Sequence, residues 1–352
     1  MAVEIKVPTI DGLTLKTKNK YVEEDIAVTI GIPHYDGDGE NIELVGTLNI
    51  VENGEYNVLK YEKVNVEVPN KLQQLFNKTI TSVSAEEIQG ITEVYPKLFY
   101  NCKLLESVDL PDTVSIIGEQ SFTNCSLLKE IKIPEGVTTI PTMTFRNCTS
   151  LEKVTFPTSI TTVGADAFEL NTKTKELCIS DFVAYLKIAY EDLGANPISS
   201  NAGSYSTILI DGEAAVNVII PSGVKLINKY TLYKVITMES LYVTNGVTKI
   251  ERYSIARNPN LRTLHLPNTL TSVDDTAFDG CTALENVTFE DGFNCPINLS
   301  YSTLYSVETI VAMLEALATI TTTKRLTLGS TNLKKLSSEQ KKIATNKGWT
   351  LV

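Results

Sequence analysis

The segment Leu105-Glu-Ser-Val-Asp-Leu-Pro111 recurs further along the chain as Leu128-Lys-Glu-Ile-Lys-Ile-Pro134. Phenylalanine, asparagine, cysteine and proline recur with the same spacing of twenty-three positions, at Phe99, Phe122, Phe145 and Phe168, at Asn101, Asn124 and Asn147, at Cys102, Cys125 and Cys148, and at Pro111, Pro134 and Pro157. One fixed period shared by four residue types indicates a repeat architecture.

Each repeat predicts one short strand and one turn of a solenoid. Apolar and polar residues alternate over the last three residues before the proline, Ile131 to Ile133, which indicates a short strand with one buried face. Pro134 then ends the strand, because proline cannot donate to the next ladder position. One such coil cannot bury its apolar side alone, so we expect coils stacked about 4.8 Å apart to share one core.

The pattern resumes in a new phase later in the chain. Leu232, Ile255 and Phe278 take the aromatic position there, and Cys281 takes the thiol position. The stack is therefore predicted to have two blocks, with an interruption at about residues 170–206. Within the interruption, residues 181–193 are typical of a helix or an irregular excursion, and residues 196–206 of a polar loop.

The repeats resemble the BspA-like leucine-rich repeats of bacterial surface proteins. Gly118-Glu-Gln-Ser-Phe-Thr-Asn-Cys125 and Ala277-Phe-Asp-Gly-Cys281 carry the clearest likeness, and the resemblance covers about residues 78–297. It implies a chain that is mainly β with some α, built as a leucine-rich repeat solenoid of 23-residue repeats. It also implies adhesion rather than catalysis.

The ends of the chain lack the repeat and suggest a division into four parts. Residues 1–33 are predicted as a small β module, 34–69 as a second module with a hairpin at Asn53-Gly54, 70–300 as the solenoid, and 301–352 as an α/β cap. The cap should contain a helix that begins near Ser306, a capping box at Ser337 and Gln340, and a last strand from Trp349. Residues 1–69 resemble segments of structural proteins from tailed bacteriophages and prophages, which implies an anchor to other virion proteins.

Composition limits the functions that the chain can have. Its 31 basic and 42 acidic residues give a net charge of −11 among 352 residues, without a basic run, so nucleic acid is not an expected partner. No window approaches the eighteen uncharged apolar residues of a membrane span, and insertion into a membrane is not expected. The first residues lack a basic cluster followed by an apolar stretch, so we expect synthesis and folding in a cytoplasm.

The residue types of common catalytic and metal sites are scarce. His34 and His265 are the only histidines, and the six cysteines contain no C-x-x-C pair, so we predict no zinc site, no cofactor and no catalytic residue. The segment Asp36-Gly-Asp-Gly-Glu40 resembles the start of a calcium loop, but Asn41 stands where glycine is required, which favours a solvated turn. Cysteines on neighbouring coils are close enough for disulfides, and a reducing cytoplasm favours free thiols.

A binding surface is predicted from the strand register. The outward positions between buried strand residues form a row on the sheet face, and the candidate binding residues in it are Asp109, Lys132, Thr155, Tyr242, His265 and Thr288. Ile219 belongs to the same row. Exposed tyrosine and histidine suit stacking on a sugar or burial at a protein contact. The alternative is a solvated face without a partner.

These observations favour a non-enzymatic virion protein of a bacteriophage or prophage, structural, decorating or fibre-like. It would be anchored through residues 1–69 and released by lysis, and it would present the solenoid to a glycan or protein of the host surface for host recognition. Self-association in the particle is left open. The alternative is a BspA-like adhesin of the bacterial cell surface. An enzyme such as a glycan hydrolase would need a pair of carboxylates in a cleft, which the sequence does not indicate.

Overall fold

The computed structural model describes residues 78–199 and 206–352 in full and, before them, the backbone of four strands. These strands are β1 (Thr14–Lys18), β2 (Asp25–Thr29), β3 (Thr47–Glu52) and β4 (Glu55–Lys60). β1 pairs antiparallel with β2, and β3 pairs antiparallel with β4. The predictions for His34, for Asp36 to Glu40 and for Asn53-Gly54 lie outside the described residues, and the division into modules stays a prediction.

From residue 78 onward, each coil adds one strand to a main sheet. In the first block these strands are β5 (Ser82–Val83), β7 (Ser107–Val108), β9 (Glu130–Lys132), β11 (Lys153–Thr155), β13 (Glu176–Ile179) and β15 (Thr207–Ile210). The strand β16 (Glu213–Ala214) pairs with β15 and forms the edge of the sheet that begins at β9. In the second block they are β17 (Asn217–Ile220), β19 (Ser240–Val243), β21 (Thr263–Leu266) and β23 (Asn286–Phe289). Main-sheet neighbours pair parallel except β15 with β16, which confirms the predicted solenoid.

A second, narrow face returns the chain across the core. Its two-residue strands are β6 (Glu93–Val94), β8 (Ile116–Ile117), β10 (Thr139–Ile140), β12 (Thr162–Val163), β14 (Ala189–Tyr190), β18 (Leu226–Ile227), β20 (Lys249–Ile250) and β22 (Ser272–Val273). Their paired strands are parallel as well. The two faces enclose the apolar residues that follow each proline.

The repeated phenylalanines form the centre of the first block. Phe99, Phe122, Phe145 and Phe168 are buried, and consecutive rings stack with centroids 5.0, 5.1 and 5.2 Å apart. Leu232, Ile255 and Phe278 are buried in the second block, as the period predicts. The core is therefore one continuous column with one large side chain from each coil.

Asparagine recurs at one turn of the repeat because its backbone and its side chain both suit that turn. Asn101, Asn124 and Asn147 have left-handed backbones, with φ of 61°, 64° and 59°, which asparagine tolerates better than most residues. The Asn124 side-chain amide donates to Asn101 Oδ1 at 2.7 Å, and the amide of Asn147 donates to Asn124 Oδ1 at 2.8 Å. A ladder of side-chain amides thus joins the turns of neighbouring coils.

Five of the six cysteines are buried free thiols, and Cys178 is a half-buried free thiol on β13. The Cys125 thiol donates to the Phe99 carbonyl at 3.1 Å, and the Cys148 thiol donates to the Phe122 carbonyl at 3.2 Å. Burial raises the pKa of the Cys102 thiol to about 12. Because the thiolate is the reactive form, these side chains act as small apolar residues with a weak donor.

The predicted interruption is built as an enlarged coil, and the stack continues across it. Glu176 lies one period after its strand partner Lys153. The next strand partner, Thr207, lies eight positions further along the chain than one more period would place it. The added residues include α1 (Phe182–Leu186), which begins after the N-cap Asp181. Hydrogen bonds connect the enlarged coil to the next one, such as that from the Asn228 side-chain amide to the Ile188 carbonyl at 3.0 Å.

The C-terminal part covers the last coil, as predicted. It contains β24 (Ile297–Asn298), α2 (Val307–Ala316), β25 (Lys324–Thr327), α3 (Gly329–Leu333), α4 (Ser338–Asn346) and β26 (Trp349–Leu351). Ser306 caps α2, and Ser337 with Gln340 forms the predicted capping box of α4. The sequence missed α3, which begins at a glycine without a side-chain cap. No helix of the described residues is long and apolar enough to cross a membrane.

Candidate binding surface

The candidate residues lie on or beside three separate sheets, which corrects the expectation of one row. Lys132 and Thr155 are register partners on β9 and β11, and Asp109 directly follows β7. Tyr242, His265 and Thr288 are register partners in the second block, where they continue the row from Ile219. The rows are separate because β15 pairs antiparallel with β16, which ends the first sheet.

The first-block row contains two residues that the sequence did not single out. Cys178 pairs in register with Thr155, and Leu209 pairs with Cys178. The period of the repeat points to Cys178, but Leu209 lies beyond the enlarged coil, so its place depends on the strand pairing. Both side chains are half-buried, and burial raises the pKa of the Cys178 thiol.

Charges of alternating sign cover the first-block face. Lys129 Nζ lies 2.7 Å from Glu106 Oε2, and Lys175 Nζ lies 3.6 Å from Glu152 Oε2. Each pair joins neighbouring coils at the start of the strands. Exposed pairs of this kind contribute little to stability, but they leave this face close to neutral.

The second-block row forms an exposed aromatic and aliphatic ridge, which we define as Ile219, Tyr242, His265 and Thr288. Ile219 is 61% exposed and Tyr242 is 47% exposed, which is unusual for large apolar side chains in the middle of strands. The Tyr242 and His265 rings stack with centroids 4.1 Å apart and an angle of 9° between planes. His265 Nδ1 lies 2.9 Å from Thr288 Oγ1, which completes a chain of contacts across three strands.

The stacking of Tyr242 on His265 limits which parts of the ridge a partner can contact. One face of the Tyr242 ring is covered by His265, and the strand on its other side carries Ile219 in register. His265 therefore occupies one face of the Tyr242 ring, on which a sugar ring could otherwise lie flat. Ring edges, the tyrosine hydroxyl and the Ile219 side chain are left for contact. This arrangement favours burial against a protein surface over stacking on a sugar.

Burial and a nearby carboxylate set the charge state of the ridge. Burial lowers the pKa of His265, while Glu290 acts in the opposite direction. Hydrogen bonds from the Asn245 side chain at 2.8 Å and from the Asn268 backbone at 3.1 Å lower the pKa of Glu290. At neutral pH the imidazole is therefore uncharged, and a carboxylate stands beside it.

A second group of charges lies at the start of the ridge strands. Arg262 Nη1 lies 2.7 Å from Glu285 Oε1, and Glu239 occupies the equivalent position on the coil before Arg262. Together with Glu290, these residues give the surroundings of the ridge a negative charge. Within residues 78–199 and 206–352, no group of three His, Cys, Asp or Glu side chains is placed to hold a metal ion.

The repeats of this chain match a known sequence family. The sequence pattern of the BspA type leucine-rich repeat region matches in six copies, over residues 92–189 and 212–337. This chain belongs to the BspA-type leucine-rich repeat family. The unmatched residues between the two ranges overlap the enlarged coil, where the spacing departs from the period of BspA-type repeats. No curated protein matches the chain.

Solved leucine-rich repeat structures from several bacteria are similar to this BspA-type chain. A leucine-rich repeat protein of T. pallidum is 23% identical, with a TM-score of 0.34, over 58% of this chain and 77% of that protein. A leucine rich cell surface protein of Faecalibacterium prausnitzii is 23% identical, with a TM-score of 0.30, over 68% and 78%. A leucine-rich repeat protein of Bacteroides ovatus is 18% identical, with a TM-score of 0.32, over 90% and 100%.

Proposed function

We propose that this chain is a non-enzymatic adhesin that is displayed on a bacterial surface and binds its partner through the second-block ridge. Membership of the BspA-type family supports this role, since repeats of this kind resemble those of bacterial surface proteins. The observation that carries the proposal is the exposed ridge itself, in which Ile219 and Tyr242 leave large apolar side chains in solvent.

The scaffold behind the ridge suits recognition. Strand ladders on both sides fix the backbones of β19 and β21, and the buried residues Leu241 and Leu264 point away from the ridge. Side chains on the outer face can therefore vary without disturbing the core. Tyrosine is also enriched among the residues that dominate binding energy at protein interfaces.

Surface display is tested on intact cells of the producing bacterium. An antibody raised against residues 78–352 should label the cells without permeabilisation, and external protease should remove that label. Labelling that requires permeabilisation and survives protease would contradict surface display.

The virion hypothesis is the second candidate. It rests on the resemblance of residues 1–69 to phage structural segments, a region in which the structure has two antiparallel strand pairs. The family match favours the bacterial adhesin. Immunogold electron microscopy of purified phage particles distinguishes the two, because a virion protein labels particles that have been washed free of cell envelope.

A further inference from the structure

We propose that the ridge of Ile219, Tyr242, His265 and Thr288 docks an extended, basic polypeptide segment of the partner. This docking role rests on the adhesive function proposed above and specifies the chemistry of what the ridge binds. It follows from the charges around the ridge, which differ between the two blocks.

The first-block face compensates its own charges. Glu106 pairs with Lys129, and Glu152 pairs with Lys175, at 2.7 and 3.6 Å. Beside them, Lys153 stands between two glutamates of neighbouring strands in the register of the sheet. A charged partner would have to compete with these pairs. This face therefore offers little net attraction to either sign of charge.

The second-block face has an excess of negative charge. Arg262 is its cation at the start of the strands, and it is engaged by Glu285 at 2.7 Å. Glu239 has no ion pair within the described part of the chain. Glu290 accepts hydrogen bonds from two neutral donors, the side chain of Asn245 and the backbone of Asn268. Neither carboxylate forms a salt bridge within residues 78–199 and 206–352, and both lie next to an exposed apolar ridge.

The spacing of these carboxylates sets the length of the segment. Glu285 and Glu290 mark the two ends of one strand, five residues apart, and Glu239 lies level with Glu285 two coils earlier. At about 3.3 Å per residue and 4.8 Å per strand, Glu239 and Glu290 are about 20 Å apart across the ridge. Two basic residues separated by five residues of extended chain span this distance. The second and fourth of the five intervening side chains point to the same face as the basic residues, and there they contact Tyr242 and His265.

Other occupants fit the ridge less well. Phosphate backbones are repelled by its carboxylates, and a small polyamine has no side chains to cover Ile219 and Tyr242. A symmetric contact with a second copy would bring Glu239 and Glu290 of both copies to the same interface, where like charges oppose each other.

The test uses the full chain and a fluorescent peptide with two lysines separated by Thr-Val-Thr-Tyr-Thr, in which the valine and the tyrosine share a face with the lysines. We expect this peptide to bind at least tenfold more tightly than peptides in which the lysines are replaced by glutamates or placed side by side. Binding should weaken between 0.1 and 1 M salt, as the Debye length falls from about 10 to about 3 Å.

Charge-matched variants locate the site. Glu239→Gln combined with Glu290→Gln should weaken peptide binding about tenfold, and Glu239→Gln alone about threefold, with melting unchanged for the single variant. The first-block pair Glu106→Gln with Glu152→Gln removes the same charge and should leave binding unchanged.

Several results would contradict the docking of a basic segment. These are absence of binding by the lysine peptide, equal binding of the glutamate peptide, an equal loss of peptide binding in the first-block variant, or complete competition by spermine at equal charge concentration.

An adhesion assay distinguishes failure of the basic segment from failure of the proposed adhesive function. If Tyr242→Ala abolishes adhesion while the Glu239 and Glu290 variant retains it, the ridge binds a partner of other chemistry. If both variants adhere normally, the adhesive ridge itself is wrong.

Discussion

At the scale of single residues, the same period produces two kinds of side chain with opposite roles. Phe145 stacks between Phe122 and Phe168 in the core, whereas Tyr242 stacks on His265 in solvent. Both columns follow the stacking of the coils, with centroids 5.1 and 5.2 Å apart in the core and 4.1 Å apart on the surface. Burial alone separates a residue that holds the fold from one that is free to bind.

Replacing Phe145 by alanine should lower the free energy of unfolding by about 3 to 5 kcal/mol, because a cavity forms between two stacked rings. Phe122→Ala should behave in the same way. Leu127→Ala is the control, since Leu127 is 39% exposed and should cost only a few tenths of a kcal/mol. Urea denaturation followed by circular dichroism measures all three. Unchanged stability of both phenylalanine variants would mean that the repeat has been misread.

Replacing Tyr242 and His265 together by alanine should weaken adhesion about tenfold or more and leave melting nearly unchanged, because one good aromatic contact contributes about 1 to 2 kcal/mol. Beads coated with the full chain and applied to target cells measure this. The first-block pair Asp109→Ala with Lys132→Ala is the matched control. Equal adhesion of the ridge variant and the wild type would shift attention to the enlarged coil.

At the scale of elements, the turn is where the repeat is most specific about residue type. Each of the asparagine turns combines a left-handed backbone with a side-chain amide that bonds the neighbouring coil. These two roles can be separated, because glycine accepts the backbone conformation and lacks the amide.

Asn124→Ala should therefore destabilise the chain more than Asn124→Gly. The alanine variant loses the amide bonds to Asn101 and Asn147 and bears a left-handed backbone cost of about 1 to 2 kcal/mol. The difference between the two variants in urea denaturation measures that backbone cost. A glycine variant that is as unstable as the alanine variant would show that the amide ladder carries the whole effect.

At the scale of the whole molecule, the solenoid is a stack in which each coil is supported by its neighbours. Its core runs from Ile80 to the C-terminal cap, where Trp349 is buried and its indole donates to the Ala318 carbonyl at 2.9 Å. Stability in such an array is close to the sum of coil and interface contributions. The solenoid and its cap should accordingly fold without the region that precedes them.

A chain that starts at Asn70 should fold and melt close to the full chain, because residues 1–69 lack the 23-residue repeat and each coil is stabilised by its neighbouring coils. Circular dichroism and thermal melting test this expectation. Attachment of the truncated chain to cells or particles tests the anchoring role of residues 1–69 independently. Loss of folding would show that these residues are part of the solenoid, and normal attachment would remove their anchoring role.

The sequence by itself determined the solenoid, its core column and the capped helices at its end, because these depend on local spacing, which in the solenoid repeats with every coil. Only the tertiary structure decided that Thr207 pairs with Glu176 across an enlarged coil, that the exposed row divides between separate sheets, and that Glu290 stands beside His265. The physical reason is that strand pairing depends on which backbones lie side by side. Because a loop of any length can connect two paired strands, the period of the sequence does not predict which strands pair across an interruption of the repeat.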